Sequence, residues 1–458
     1  MSGAAFFDLD RTLLKGASTP AIRKALAQVG LVSEKAIPGE GVFVRVYDVW
    51  GESLAHMALA RLAAFACKGW DVERATQAGE LIAEMLMSKV APYAPALIEE
   101  HRNAHRYVVL ATTTPKHLVE PFARRLGFDD VIATTYEVRD GHFTGRLSGS
   151  FVWSGWKMSR VKSWAKNNSV SLKDSFAYSD SVYDVPLLSS VGHPFAVNPD
   201  NRLRALAIGR RWPIIFLDVP PGVPKFAGLE PFDVVAKIAR PSLGAFARFE
   251  VLGAENIPKT GPVIVAANHR SYFDVGAVGI LASTIGRPIR FLAKKEVMDA
   301  PVIGAVARAM GAIRVDRGSG SDRPLQDALR TLGSGMAIGI FPQGTIPRGE
   351  KFFEPKLVGK TGAVRLAQES GAPIVPVGIW GTENVWPRSA RIPRVSAVLS
   401  PPLVTITVGE PITVDKLPND VQQATTNLMD QIASLLPAEA RDKIVPNQDQ
   451  IRSALPPQ

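Results

Sequence analysis

Short apolar runs that close on polar residues recur along the chain. Residues 4–7 are Ala-Ala-Phe-Phe and end at Asp8; residues 107–111 end at Thr112; residues 176–178 end at Ser179 and Asp180. A brief, continuous apolar run predicts a strand buried on both faces, as in a parallel sheet. Between these runs the period becomes helical. Ala21, Ala25, Leu26 and Val29 fall on one face, as do Leu54, Met57, Ala58, Leu62 and Phe65, and then Leu81, Ile82, Met85 and Leu86. Residues 18–105 therefore read as mainly helical, and residues 116–126 as a further helix. Strand, polar end and helix in repetition predict an open α/β sheet, which binds ligands at the carboxyl ends of its strands.

Val-Pro-Pro-Gly-Val-Pro at residues 219–224 can form neither a helix nor a central strand. It divides the chain into an N-terminal domain (1–218), a linker (219–229) and a C-terminal domain (230–446). A second α/β pattern follows the linker. Strands are expected at 262–267, 336–341, 374–379 and 404–408, and a closing helix at 421–435. The polar, proline-containing residues 447–458 predict a loose tail.

Composition narrows the function classes. Hydrophobic residues make up 46% and charged residues 21%, the balance of ordinary globular domains. The single cysteine, Cys67, rules out an intrachain disulfide framework and suits a reducing, cytoplasmic setting. Asp8 and Asp10 stand where a secretory signal would need an apolar stretch. No apolar run reaches the roughly 18 residues of a membrane span. The net charge of +10 suits an anionic partner. With no helix-turn-helix or aromatic-basic strand signature, nucleic acid is not the expected one.

Asp8 and Asp10 place two carboxylates at the end of the first strand, where alternation would point both into one crevice. One can attack phosphorus while the other moves a proton. Thr112 ends the second strand and can hold a phosphate oxygen. Lys157 opens a helical run and can neutralise phosphoryl charge. Asp180 and Asp184, at the end of the third strand, complete with Asp8 an oxygen-only site that suits Mg²⁺.

With those motifs in this order, residues 4 to 215 resemble the haloacid dehalogenase superfamily, in the branch similar to phosphoserine phosphatase. The resemblance implies an open parallel sheet with a helical cap at about 15–105. It implies Asp8 as the nucleophile that forms an aspartyl-phosphate and Asp10 as general acid and then base. Thr112 and Lys157 would bind phosphate. Asp8, the backbone carbonyl of Asp10, Asp180 and Asp184 would hold Mg²⁺. The implied substrate is a small phosphate ester.

His269 and Asp274 follow the strand at 262–267. Five positions is about 140° around a helix, so the two cannot meet on one helical face. They can meet if His269 sits in the preceding turn and Asp274 in the first helical turn. The aspartate would then fix the imidazole, whose other nitrogen can take a proton from an alcohol. Arg317, Arg348 and Lys360 can gather around one phosphate.

Residues 230 to 436 resemble the glycerolipid acyltransferases, a family that includes the 1-acylglycerol-3-phosphate acyltransferases. The histidine–aspartate block is met by His269 and Asp274, and the second block by Gly311 and Arg317. The third is Phe341, Pro342, Gln343, Gly344, Thr345 and Ile346. The fourth is matched at Val375, Pro376 and Val377. Two positions depart from the family: Gln343 stands where glutamate is usual, and Ile346 where an acceptor-binding arginine is usual. The resemblance implies an α/β domain that moves an acyl group from acyl-CoA or acyl carrier protein to a lysophospholipid. Such a substrate implies peripheral contact with the cytoplasmic face of a membrane. Phe232, Val235, Ile238, Phe246 and Phe249, interleaved with Lys237, Arg240 and Arg248, offer an interfacial segment or ordinary packing. The fusion thus predicts a phosphatase joined to an acyltransferase; a phosphatase whose second domain only binds lipid is the alternative.

Overall fold

Ala4–Phe7 (β1) has no polar side chain to offer water, and it becomes a central strand with every residue buried. The computed structural model describes residues 3–33, 64–226, 228–238, 247–315, 323–394 and 399–456. Its contacts divide the chain into two units, Met1–Pro221 and Gly222–Gln458.

The first unit is built on six parallel strands. After β1 come Tyr107–Pro115 (β2), Asp130–Thr134 (β3), Phe176–Ser179 (β6), His193–Val197 (β7) and Ile214–Ile215 (β8), in the order β3-β2-β1-β6-β7-β8. Tyr136–Arg139 (β4) and His142–Leu147 (β5) form a separate hairpin. That hairpin bonds to the segment before the helix Val72–Met87, through Gly69 N–H to Phe143 and Val72 N–H to Gly141. The sequence pattern gave no sign of it, because its strands are short and mostly solvent-facing. One face of the main sheet is aromatic: Phe7 stacks on Tyr178 at 4.5 Å, and Tyr178 on Phe195 at 5.0 Å. The Tyr178 hydroxyl meets His101 Nε2 at 2.8 Å. Burial, with Arg106 adding, pulls the His101 imidazole down to about 4, so it is neutral at pH 7 and structural.

The second unit carries a mixed seven-stranded sheet. Its strands are Arg248–Leu252 (β9), Val263–Ala267 (β10), Ile289–Lys294 (β11), Ile313–Val315 (β12), Ala337–Ile340 (β13), Ile374–Trp380 (β14) and Leu403–Val408 (β15). The order is β12-β11-β13-β10-β14-β15-β9, with β14 and β15 antiparallel. Val263, Val265 and Ala267 of β10 face one core with Ala277, Val278 and Leu281 of the helix Asp274–Ile285. Ile264 and Ala266 face the other, with the helices Gly362–Ser370 and Val421–Ser434. Burial on both faces is why β10 reads as an unbroken apolar run.

One expectation is corrected here, and one that left two readings open is narrowed. The tail is not loose: Gln448–Ser453 is a helix whose Asn447 and Gln450 form a reciprocal cap, and Ala454 is buried against Ile346 and Phe352. Polar composition concealed it because a single small residue makes the buried contact. The segment with interfacial spacing begins as the helix Pro231–Ile238, but its Phe232 is buried in the core and Phe249 packs against that core. Val234 and Val235 remain exposed. Arg240 and Phe246 lie outside the described residues, as do Leu54, Met57, Ala58 and Leu62. Among the described residues, no helix is long and apolar enough to cross a membrane.

Glu230, just ahead of that helix, accepts from Arg290 Nη2 at 2.5 Å, and Arg290 is 1% exposed. Removing one partner leaves a buried guanidinium without a counter-charge. We expect Glu230→Ala to lower the unfolding free energy by about 3 kcal/mol or more, read from urea titration. A loss near zero would mean that the pair is relaxed by solvent.

Candidate active sites

Phe7 pairs level with Leu110 on one side and Tyr178 on the other. Each chain then runs on past its strand's carboxyl end, so Asp8, Thr112 and Asp180 emerge at one crevice. At Thr112 the pairing of β2 with β3 shifts register, a bulge that re-aims side chains at a strand end. Thr112 is 2% exposed, and its hydroxyl takes the N–H of Thr114 at 3.2 Å.

Lys157 lies in the first turn of the helix Gly155–Asn167 and is 1% exposed. Its ammonium donates to Asp8 Oδ1 at 2.8 Å and to Asp184 Oδ2 at 2.7 Å. Ser154, just before that helix, holds φ 51°, a conformation that non-glycine residues seldom adopt. Ser179 also donates to Asp184 Oδ2 at 2.7 Å, while the buried Asp184 Oδ1 has no hydrogen-bond partner. Asp180 pairs with Arg11 Nε at 3.2 Å. Asp200 holds the loop between these carboxylates by accepting from Val182 N–H at 3.1 Å.

Asp10 does not follow the strand alternation expected of it. The strand stops at Phe7 and the chain coils through Leu9–Leu13, with Arg11 at φ 58°. Asp10 accepts from Ser18 N–H at 2.5 Å and Ser18 O–H at 3.2 Å. Asn198 fastens this turn by donating to the Arg11 carbonyl at 3.0 Å. The same turn carries the Asp10 carbonyl expected to face a metal. Ser18, Ser179 and Asp200 had no role in the sequence reading. Their signal was weak, since serine and aspartate near strand ends usually cap turns.

Burial pushes the Asp8 carboxyl up to about 6; the ammonium of Lys157 opposes this and the charge of Asp184 adds to it. Asp8 and Asp184 thus share the ammonium of Lys157, while Asp180 pairs with Arg11 and the Asp10 carboxylate turns onto Ser18. The cations bonded to them among the described residues are Lys157 and Arg11. The orphaned, buried Asp184 Oδ1 is an oxygen donor of the kind a hard divalent cation takes. Among the described residues no group of three acidic, histidine or cysteine side chains is placed to hold a metal ion by itself. Mg²⁺ characteristically needs none, since it keeps water and substrate oxygens.

In the second unit, β10 lies between β13 and β14, with Ala266 level with Ile340 and Ala267 level with Val377. The loops beyond these strands bring His269, Gln343 and Thr382 together. His269 sits in the turn and Asp274 at the first position of the following helix, the arrangement that the five-residue spacing required. Their contact, Nδ1 to Oδ2, is 2.7 Å. Asp274 is fully buried, and all its bonds are formed. Oδ2 also accepts from the N–H groups of Arg270 at 2.6 Å and Ser271 at 2.8 Å, and Oδ1 accepts from the Thr382 hydroxyl at 2.5 Å. With a carboxylate at Nδ1, that nitrogen carries the proton and Nε2 keeps its lone pair. The imidazole stacks on Phe341 at 4.3 Å.

Gln343 accepts the His269 N–H through Oε1 at 2.6 Å, which an amide does as well as a carboxylate. Gly344, at φ 69°, closes the turn through its N–H to Phe341, and Thr345 is exposed. Lys360 is tied to this loop by its backbone N–H to Pro342, but its side chain and that of Arg348 are exposed and no contact joins them. Both side chains are thus open to solvent at the edge of this loop, and Arg317 lies outside the described residues. The structure gives roles to residues that the sequence motifs contained without assigning one. Asn268 bonds both the N–H and the carbonyl of Ile379. Arg270 is sandwiched between Phe352 and Trp380 at 4.3 and 4.2 Å. Gly381, at φ 89°, turns the chain so that Thr382 reaches Asp274; a Cβ there would strike the Leu403 carbonyl.

Comparison with known proteins finds a family model for each half of the chain. The haloacid dehalogenase-like hydrolase family model matches residues 5–189, and the acyltransferase family model matches residues 248–380. The inhibition of morphological differentiation protein of Streptomyces azureus is 38% identical over 220 residues, 46% of this chain and 77% of that protein. A phosphoserine phosphatase of Mycobacterium tuberculosis is 37% identical over 217 residues, 47% of this chain and 70% of that one. Among solved structures, the 1-acyl-sn-glycerophosphate acyltransferase of Thermotoga maritima is 24% identical, covering 44% of this chain and 77% of its own, with a TM-score of 0.35.

A carboxyl raised from 3.8 to about 6 loses folding stability as pH climbs between those values, because the unfolded chain ionises more easily. Asp8→Asn removes that loss. With divalent cations chelated, its melting temperature is expected to exceed the parent's above pH 6, by on the order of 3 kcal/mol in stability. The gain should vanish near pH 4, and added Mg²⁺ should narrow it by stabilising only the parent. A variant less stable than the parent at pH 7 would overturn this electrostatic account.

Proposed function

Because the chain belongs to the haloacid dehalogenase-like hydrolases through its first half and carries an acyltransferase domain in its second, we propose that it joins two activities. One is a Mg²⁺-dependent phosphatase of small phosphate esters. The other transfers an acyl group from acyl-CoA or acyl carrier protein to a lysophospholipid, 1-acylglycerol-3-phosphate above all, to give phosphatidate. The observation that carries the transferase half is the 2.7 Å contact between His269 and a saturated, fully buried Asp274. The phosphatase half rests on Lys157 bridging Asp8 and Asp184.

In the transferase, Nε2 of His269 takes the proton of the acceptor hydroxyl as the oxygen attacks the thioester carbonyl. The carbon–sulfur bond breaks, and the departing thiolate recovers the proton from His269. Asp274 stabilises the imidazolium formed in between. Its four bonds hold it in place, so little reorganisation accompanies the transfer.

In the phosphatase, Lys157 occupies Oδ1 of Asp8, which leaves Oδ2 to attack phosphorus. The bond to the leaving alcohol breaks as Asp10 supplies its proton. Asp10 then takes a proton from the water that releases phosphate and restores Asp8. Thr112 and Lys157 bind the phosphoryl oxygens. Asp8, the Asp10 carbonyl, Asp180 and Asp184 would hold the cation, which when bound neutralises phosphoryl charge. The phosphoserine phosphatase among the relatives supports a small polar ester as substrate.

A lipid acceptor requires access to a bilayer, and the basic balance of the chain supports peripheral attachment to anionic lipid. The test is a mass-spectrometric product assay with lysophosphatidate, oleoyl-CoA and Mg²⁺. Phosphatidate should form with the parent and with Asp8→Asn, and fall at least about a hundredfold with His269→Ala. Release of phosphate from small esters should stop in Asp8→Asn and survive in His269→Ala. Vesicle binding without any acyl transfer by the parent would replace the transferase reading with a lipid-binding role.

A further inference from the structure

The third block places Ile346 where an acceptor-binding arginine is usual. Ile346 is 3% exposed, packed with Phe352 and Ala454 of the C-terminal helical segment. Its side chain carries no charge, yet its backbone carbonyl holds one. Arg388 Nη1 donates to that carbonyl at 2.5 Å. Arg388 is itself 5% exposed, its Nε has no hydrogen-bond partner, and no carboxylate pairs with it among the described residues. Burial, with Arg348 nearby, pulls its pKa below the usual arginine value, while the Tyr272 hydroxyl pulls the other way. A buried guanidinium without a counter-charge is costly, and an anion is what would relieve it.

The position of Arg388 says which anion. The Ser271 hydroxyl donates to the Trp386 carbonyl at 2.6 Å, and the Tyr272 and Trp386 rings lie 5.7 Å apart. Arg388 follows Trp386 by two residues, and Ile346 follows Gln343 by three. The guanidinium thus bonds the block that carries Gln343, from a segment tied at Trp386 to the loop that carries His269. Trp386 Nε1 closes the turn onto the Ala390 carbonyl, and Ser389 N–H bonds the Ser453 carbonyl. The C-terminal helix thus braces the segment from outside.

We infer that Arg388 is an acceptor-specificity residue, whose guanidinium binds the phosphate of a phosphorylated lysolipid in place of the arginine missing at position 346. The inference rests on the transferase reading above. Acyl-CoA also carries phosphates, so donor and acceptor must be read separately.

The test measures kcat/KM with lysophosphatidate and with oleoyl-CoA varied in turn, for the parent, Arg388→Lys and Arg388→Gln. Loss of a charge-assisted bidentate contact predicts a fall of roughly tenfold or more toward lysophosphatidate in Arg388→Gln. Arg388→Lys should fall between, and KM for oleoyl-CoA should stay within about twofold. Equal losses toward both substrates, or none, overturn the inference while leaving the transferase intact. A parent inert toward lysophosphatidate overturns the acceptor reading and this inference together. Because Arg388 is buried, hydrogen exchange in the parent supplies a check that needs no variant. Lysophosphatidate should slow exchange across residues 386–394, and slowing confined to 343–348 counts against Arg388.

Discussion

Phe7 lies level with both Leu110 and Tyr178, and Ala266 and Ala267 lie level with Ile340 and Val377. In each unit a central strand is thus paired in parallel on both sides. Parallel pairing sends all three chains out at the same end of the sheet, and a fixed register sends them out at the same height. Residues more than a hundred positions apart then meet at these strand ends, where Lys157 reaches Asp8 across 149 positions. The apolar runs that hold this register are buried on both faces, so a one-residue slip would turn core side chains out of their packing.

The two sites solve the burial of charge in opposite ways. Asp274 is buried with all its acceptor capacity used, by an imidazole, two backbone N–H groups and a hydroxyl. Those bonds fix its position against the imidazole. The crevice at Asp8 is left unfinished. Asp184 keeps an orphaned oxygen, and burial raises the Asp8 carboxyl. Buried acidic groups left in this state carry an unrelieved cost that Lys157 only partly offsets.

The departures in the third block acquire different meanings once the contacts are known. Gln343 accepts the backbone N–H of His269, a task that needs an oxygen but no charge, so the exchange for glutamate is chemically mild. Ile346 is a true loss of charge, but it coincides with a packed C-terminal helix and with Arg388 bonded to its carbonyl. Isoleucine is a suitable choice for a position that the tail covers, whereas an arginine there would be buried against Phe352 and Ala454.

The central strands, the helices after them and the residues at their ends were legible in the sequence, because burial on both faces imposes an apolar run and chemistry imposes a polar stop. His269 with Asp274, and Asp8 with Lys157 and Asp184, were recognisable as groups for the same reason. Other features depend on contacts that no local pattern records. The coil at Arg11 turned Asp10 away from strand alternation and onto Ser18. The hairpin at 136–147 is held by backbone bonds and by Tyr136 and Phe143 packed on Cys67 and Ala75, and the helix in the tail by its cap and the buried Ala454. Thr382 and Arg388 lie 108 and 42 positions from the groups they bond. Sequence by itself thus determined which side chains carry the chemistry, since residue type and local period are written along the chain. Only tertiary structure decided which of them meet, because parallel pairing and packing join segments whose separation leaves no periodic trace.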